Sequence, residues 1–146
     1  MTFSMNIKKL NQHATLPTYG SSFAAGADLY ACEEAEVTIL PGETKLIHTG
    51  LAMAIPEGMV GLIYARSGLA SKKGLAPANK VGVIDSDYRG EIMVALHNHS
   101  AESRVIAHGE RIAQIVFAPY YTADFCLTEE LDDTVRGEGG FGSTGV

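Results

Sequence analysis

Apolar residues recur at every second position through most of the chain: Val37 and Ile39, then Leu51, Met53 and Ile55, then Val60, Leu62 and Tyr64, then Ile92, Val94 and Leu96. A period of two turns one side of an extended strand toward a core, whereas a helix needs a period near 3.6, so these stretches predict strands. Turn signals separate them, at Pro41-Gly42, Pro56-Glu57-Gly58, Asn98 to Ser100 and His108-Gly109. That spacing predicts an all-β fold, a jelly-roll-like β-sandwich or barrel. The one helical stretch is short, Ser67 to Gly74, with Ser67 as N-cap, Lys72 and Lys73 in the last turn and a glycine after it. Met59 to Ala65 and Ile112 to Phe117 are apolar on both faces, more than one side of a sandwich requires. A buried subunit interface or an unusually dry core would each produce that excess.

After Leu131 the pattern breaks, and Arg136 to Gly145 is rich in glycine. The expected organisation is a β domain over residues 1–135 and a flexible C-terminal arm over 136–146. Gly137 and Gly142 have the spacing of a phosphate-binding loop, but Ser143 stands where its lysine belongs and no strand feeds it, which excludes that motif.

The length of 146 residues suits one domain. Met1 to Leu10 lacks the continuous apolar core of a secretory signal, and no run approaches a membrane span. Cys32 and Cys126 are far apart and lack metal-site spacing, so the expectation is free thiols in a reducing cytoplasm. A formal net charge of -6 argues against nucleic-acid binding. A small polyanion would need local positive charge or a metal ion.

Candidate chemistry concentrates in Gly82 to Ile92, read as a β-hairpin whose tip carries Asp85, Ser86, Asp87 and Tyr88, with Gly90 supplying a permissive backbone. A plain acidic turn is the competing reading. Arg66-Ser67-Gly68 opens the helix, where free N–H groups, a guanidinium and a hydroxyl can meet an anion or merely cap the helix. Gln114, placed on one strand face with Ile112 and Val116, needs a partner for a half-buried amide, structural or ligand. Asp28 interrupts a strand-like run and could face a cation or pair with an arginine. His97 and His99 alternate on one face without a third metal ligand at suitable spacing.

Five stretches, in chain order and covering most of the domain, resemble the trimeric dUTPase family. They are Ala-Gly-Ala-Asp-Leu-Tyr-Ala at 25–31, Ala-Arg-Ser-Gly-Leu-Ala at 65–70, the stretch 82–92, Gly-Glu-Arg-Ile-Ala-Gln at 109–114, and Arg-Gly-Glu-Gly-Gly-Phe-Gly-Ser-Thr-Gly at 136–145. The resemblance implies a homotrimer that hydrolyses dUTP to dUMP and pyrophosphate with magnesium (Mg2+), each active site being built from all three subunits. It implies that Asp85 orients and activates the water that attacks the α-phosphorus, and that Asp28 holds the metal through a bound water. Arg66, Ser67, Gly68 and Gln114 would grip phosphate oxygens, and Arg136, Gly142, Ser143 and Thr144 would complete the grip once the arm closes. Phe141 would stack on uracil. Tyr88 would lie under the deoxyribose and leave no room for a 2'-hydroxyl. Uracil would be read by the backbone at Val83, Ile84 and Asp85, assisted by the Asn79 side chain and the main chain near Met93. Ala65 stands where many relatives carry proline, and Lys72-Lys73 replace a lysine-histidine type pair. A non-catalytic β-sandwich binding module and the related dCTP deaminase are the alternatives.

Overall fold

The structure is a computed structural model that describes residues 2–142. Its strands in chain order begin with β1 (Asn6–Lys9), β2 (Thr18–Tyr19), β3 (Ala27–Tyr30), β4 (Val37–Ile39), β5 (Thr44–His48) and β6 (Leu51–Ala54). They continue with β7 (Met59–Tyr64), helix α1 (Ser67–Lys73), β8 (Leu75–Pro77), β9 (Gly82–Ile84), β10 (Met93–Asn98), β11 (Arg104–Ile106) and β12 (Arg111–Pro119). A five-stranded sheet in the order β2-β3-β12-β7-β9 is accompanied by a three-stranded sheet β5-β10-β8 and the pairs β1-β6 and β11-β4. All pairings are antiparallel.

The period-two reading holds in β3 and β10, where one side is buried. In β7, however, the buried side is Gly61 and Ile63, and the alternating set Val60, Leu62 and Tyr64 lies on the half-buried outer side. In β10, Val94, Leu96 and Asn98 are buried and alternate with half-buried Met93, Ala95 and His97. In β3, Ala27 and Leu29 are buried and alternate with Asp28 and Tyr30. Leu29, Ile39, Ile47, Leu51, Leu75, Ile92, Leu96, Ile106 and Ile115 fill the core. Each contributes about 1.5–3 kcal/mol by leaving water. The buried polar residues are bonded, as burial requires. Asn98 donates to the carbonyls of Ile39 at 2.9 Å and Glu102 at 2.7 Å, and Thr49 donates to that of Ile92 at 2.5 Å.

Four local expectations need correction. Gly82 to Ile92 is not a hairpin: β9 pairs with β7, whereas β10 pairs with β5 and β8, so the stretch crosses between sheets. The helix cap is Arg66, in an extended conformation and with no side-chain cap bond, rather than Ser67. Gly90 does not supply a positive φ; it makes room for the Tyr88 ring, which a Cβ there would displace. Finally, β12 shifts register between Arg111 and Ala113, so Ile112 and Ala113 are both fully buried and the face of Gln114 is shared with Val116, not Ile112.

The outer sides of β7 and β12 are half-covered: Val60, Leu62 and Val116 are all partly accessible in the single chain, while Phe117 packs against the core. No helix among the described residues is long and apolar enough to cross a membrane.

Candidate active site

β7 is the axis of the candidate site, because the residues singled out from sequence gather at its two ends. At the first end, Leu62 pairs with Val83 and Gly61 with Ile84, so the next residue, Asp85, emerges beside Val60. Asp85, Val83, Val60, Leu62, Ser86 and Arg89 line a cleft of about 830 Å³. β9 is the edge strand of its sheet, which leaves the main-chain groups on its outer side without a strand partner. The Asn79 side-chain nitrogen lies against Gly82 in that strand. Met93, across from His48, begins β10 and is half-buried.

Tyr88 is 41% exposed, and its ring folds back over Gly90. Its hydroxyl donates to the Glu91 carbonyl at 3.0 Å, and its N–H donates to the Asp85 carbonyl at 3.2 Å. The Arg89 guanidinium donates to the carbonyls of Ser86 at 2.7 Å and Tyr88 at 3.0 Å. The tip is therefore a braced platform, more ordered than an acidic turn needs to be.

At the other end of β7, Tyr64 pairs with Gln114, and Gln114 pairs in turn with Asp28. The Gln114 amide donates to the Ala65 carbonyl at 2.9 Å, the partner its half-burial demanded. Gly26 has no room for a side chain, since a Cβ would strike Gln114 Oε1. Asp28 Oδ1 accepts from Arg66 Nε at 2.7 Å, and Asp28 Oδ2 lies 3.4 Å from Arg111 Nη1. Of the two roles open to Asp28, it takes that of an arginine partner here.

The N–H groups of Ser67, Gly68 and Leu69 precede the first helical bond, from Ala70 N–H to the Arg66 carbonyl. Nothing lies within 4 Å of where a Gly68 Cβ would be, so the chain's own packing does not need that glycine. Arg66, Gly68, Lys72, Lys73, Glu110 and Arg111 line a second cleft of about 440 Å³. It is a basic patch on a chain with a net charge of -6, the local field a polyphosphate requires.

The two clefts are separate in one chain. Val60 and Arg66 lie six positions apart along β7 and its exit, which at about 3.3 Å per residue is about 20 Å. Among the described residues that follow β12, Tyr120 lines the first cleft and none lines the second. Residues 121–138 are exposed, and Arg136 donates to its own neighbour, the Gly139 carbonyl, at 2.8 Å. Phe141 is fully exposed with φ 50°, Gly142 is exposed with φ 93°, and Ser143 and Thr144 lie outside the described residues.

Arg111 and Arg89 were not singled out from the sequence. Arg111 lies within one of the five stretches, but the register shift beside it hides its face from an alternation rule. No cluster of three or more metal-ligating side chains exists among the described residues. A lone carboxylate still suits magnesium, which is usually bound by one or two carboxylates together with substrate phosphates. The His97 and His99 rings meet edge-on, with centroids 4.3 Å apart and planes at 63°, and His97 Nδ1 bonds the Thr44 hydroxyl at 2.8 Å.

Comparison with known proteins adds a family model, described as dUTPase, that matches residues 12–145. The deoxyuridine 5'-triphosphate nucleotidohydrolase of Desulfitobacterium hafniense is 57% identical over 132 residues, covering 90% of this chain and 87% of the relative. That of Syntrophotalea carbinolica is 48% identical over 144 residues, covering 99% of this chain and 98% of the relative. Among solved structures, the Staphylococcus bacteriophage 80alpha dUTPase with dUPNHPP superposes with a TM-score of 0.91 at 32% identity, covering 99% of this chain and all of that one.

Proposed function

The chain belongs to the dUTPase family, and on that premise we propose how its residues carry out the family's reaction. It is an enzyme, a dUTP diphosphatase that yields dUMP and pyrophosphate. Water is the nucleophile: its oxygen bonds to the α-phosphorus, the bond from that phosphorus to the bridging oxygen breaks, and pyrophosphate leaves. Asp85 orients the water and accepts its proton, acting mainly through position.

Uracil is read by the outer main-chain groups of β9 at Val83 and Ile84 and of Asp85 directly after it, with the Asn79 amide and the main chain near Met93. A side-chain amide can turn over and accept either uracil or cytosine, whereas a fixed N–H facing O4 cannot, so rejection of cytosine rests on the backbone. Tyr88 closes the space a 2'-hydroxyl would need. Arg66, the exposed N–H groups at Ser67 and Gly68, and Gln114 hold the phosphates.

Magnesium, held by Asp28 through a water and by the phosphates themselves, would supply charge neutralisation. The arm carries Arg136, Phe141, Gly142, Ser143 and Thr144 over a site, with Phe141 stacking on uracil and the others on phosphate.

The observation that carries this reading is the separation of the two clefts. A nucleoside triphosphate bound by the base-reading cleft would fall short of the basic cleft of the same chain, which supports a site completed by a second chain, as in the homotrimer with shared active sites that the family resemblance implies. The half-covered outer faces of β7 and β12 are surface for such an interface. The test is pyrophosphate release from dUTP, dTTP, dCTP and UTP by the wild type and by Asp85→Asn. The expected result is release from dUTP alone, with turnover reduced by about 10²–10⁴ in the variant and nucleotide binding retained. A variant as active as the wild type would remove Asp85 from the chemistry, and ammonia release from dCTP would favour a deaminase.

A further inference from the structure

The loop that carries Tyr88 is anchored at its exit by a side chain outside the site. Glu91 Oε1 accepts the Gly50 N–H at 2.8 Å, and Glu91 Oε2 lies 3.0 Å from His48 Nδ1. The next residue is fixed to the same turn, since Ile92 N–H donates to the Leu51 carbonyl at 2.8 Å and the Thr49 hydroxyl donates to the Ile92 carbonyl at 2.5 Å. The turn itself is rigid. Gly50 is buried with φ +67°, hemmed in by Ala14, Cys32 and Asn11, and its carbonyl accepts the Leu10 N–H at 2.7 Å. Glu33 Oε1 accepts the His48 N–H at 2.7 Å from the other side.

Within the loop, the bonds of Arg89 and of the Tyr88 N–H stay inside residues 85–89. They brace the tip but do not fix it to the body. Tyr88 reaches the body through its hydroxyl, on the Glu91 carbonyl, with its ring against Gly90. The location of the ring therefore follows the location of the Glu91 main chain, which the Glu91 carboxylate holds to the turn at 48–50 on one side while the Ile92 N–H, in the same peptide as the Glu91 carbonyl, is held by Leu51 on the other.

We propose that Glu91 is a positioning residue for Tyr88 and so sets the discrimination between deoxyribose and ribose. This rests on the sugar-excluding role given to Tyr88 above. Glu91 touches no substrate in this scheme, and its effect passes through the Tyr88 hydroxyl bond. A displacement of the ring by about 1 Å opens space for a 2'-hydroxyl, and errors of that size change rates by up to about 10²-fold.

The experiment measures kcat and KM for dUTP and UTP, from pyrophosphate release, in the wild type, Glu91→Ala, Glu91→Gln, Tyr88→Phe and the Glu91→Ala, Tyr88→Phe double variant. Glu91→Ala is expected to lower the dUTP-over-UTP ratio of kcat/KM by about tenfold, mostly through a lower KM for UTP, with kcat for dUTP little changed. Glu91→Gln keeps an oxygen for the Gly50 N–H and retains the ratio. Tyr88→Phe lowers the ratio, and the double variant adds little to it, because both changes cut one linkage. A merely structural residue would lower thermal stability and leave the ratio alone. An unchanged ratio in a folded Glu91→Ala protein, or additive losses in the double variant, overturns the proposal. Should Glu91→Ala fail to fold, Glu91→Asp keeps the charge but withdraws it from Gly50, and must lower the ratio in its place. A wild type that hydrolyses dUTP and UTP alike overturns the role of Tyr88 and this inference together. If the wild type releases nothing from dUTP, the functional reading fails separately, and ligand-free NMR decides the positioning. The Tyr88 ring signals must then shift in Glu91→Ala and stay in Glu91→Gln, and unshifted signals in Glu91→Ala overturn the positioning.

Discussion

Glycines 26 and 90 do the same work at opposite ends of β7, each making way for a functional side chain instead of a turn. A methyl group at Gly26 would collide with Gln114 Oε1, and Gln114 in turn donates to the Ala65 carbonyl directly before Arg66. Gly26→Ala is therefore expected to push the Gln114 amide off the Ala65 carbonyl and to disturb the phosphate end of the site while leaving the base-reading end untouched. Steady-state kinetics should show KM for dUTP raised about tenfold, worth about 1.4 kcal/mol, with the preference for uracil over cytosine unchanged. A variant with wild-type KM would show that Gln114 does not need its present place. Sequence exposes such glycines as residues but not their reason, since turn propensity alone accounts for them equally well. Gly68 is the contrasting case: open space surrounds it, and no packing demand from its own chain explains it.

Strands β4, β6, β7 and β10 were legible from the alternation of apolar positions, and the helix from its lysines and terminal glycine, because those signals are local. Strands β1, β2, β5, β8 and β11 are short or carry little apolar alternation and were not. Nor was pairing. Val83 and Ile92 flank a polar turn as a hairpin would, yet β9 and β10 enter different sheets, and only long-range packing decides that. The register shift at Arg111 likewise put Ile112 on the wrong face and hid Arg111 from view. The anchor between the turn at 48–50 and Glu91 joins residues more than forty positions apart, so no window of sequence contains it. It carries a pH signature. The bond to Glu91 raises the His48 pKa above its ordinary 6.5, outweighing partial burial, with the charges of Glu91 and Glu33 acting in the same direction. A raised folded-state value means that the added stability is present in full below the ordinary histidine value and is lost as pH climbs through the raised one. Half of the His48 side chain is exposed, so solvent screening keeps the contribution within about 1 kcal/mol. The melting temperature of the wild type minus that of His48→Gln should therefore be positive by about 2–4 °C at most in mild acid and shrink towards neutral and higher pH. A difference independent of pH would sink this account. The arm makes a further prediction at the same scale. The described hydrogen bonds of residues 121–142 are local, such as Gly137 to Thr134 and Arg136 to Gly139. Truncation after Val135 should leave the melting temperature near that of the full chain while turnover of dUTP falls by about 10²-fold or more. Unchanged turnover would return the arm to a plain tail.

At the scale of the whole molecule, the proposed function divides the site into two halves that one chain holds apart. Asp85 and the edge of β9 stand at one end of β7, while Arg66, Gln114 and Asp28 stand at the other, about 20 Å along the strand. The amino-acid pattern shows the halves but not their separation, because the distance follows from which strand β9 joins. In the proposed homotrimer that separation becomes an asset, since the same operator that would place one chain's base-reading cleft against a neighbour's basic cleft repeats around the ring. The consequence is testable without any structure of the assembly. Asp85→Asn and Arg66→Ala should each be nearly inactive alone. When the two are unfolded together and refolded as a mixture, some sites receive Asp85 from one chain and Arg66 from another. With random assortment in equal amounts, about a quarter of the sites are intact in both respects, so turnover should return to about a quarter of the wild-type value. Co-refolding makes the outcome independent of how fast assembled chains exchange. If Asp85 and Arg66 served one site from the same chain, every site in the mixture would lack one or the other, and refolding would restore nothing.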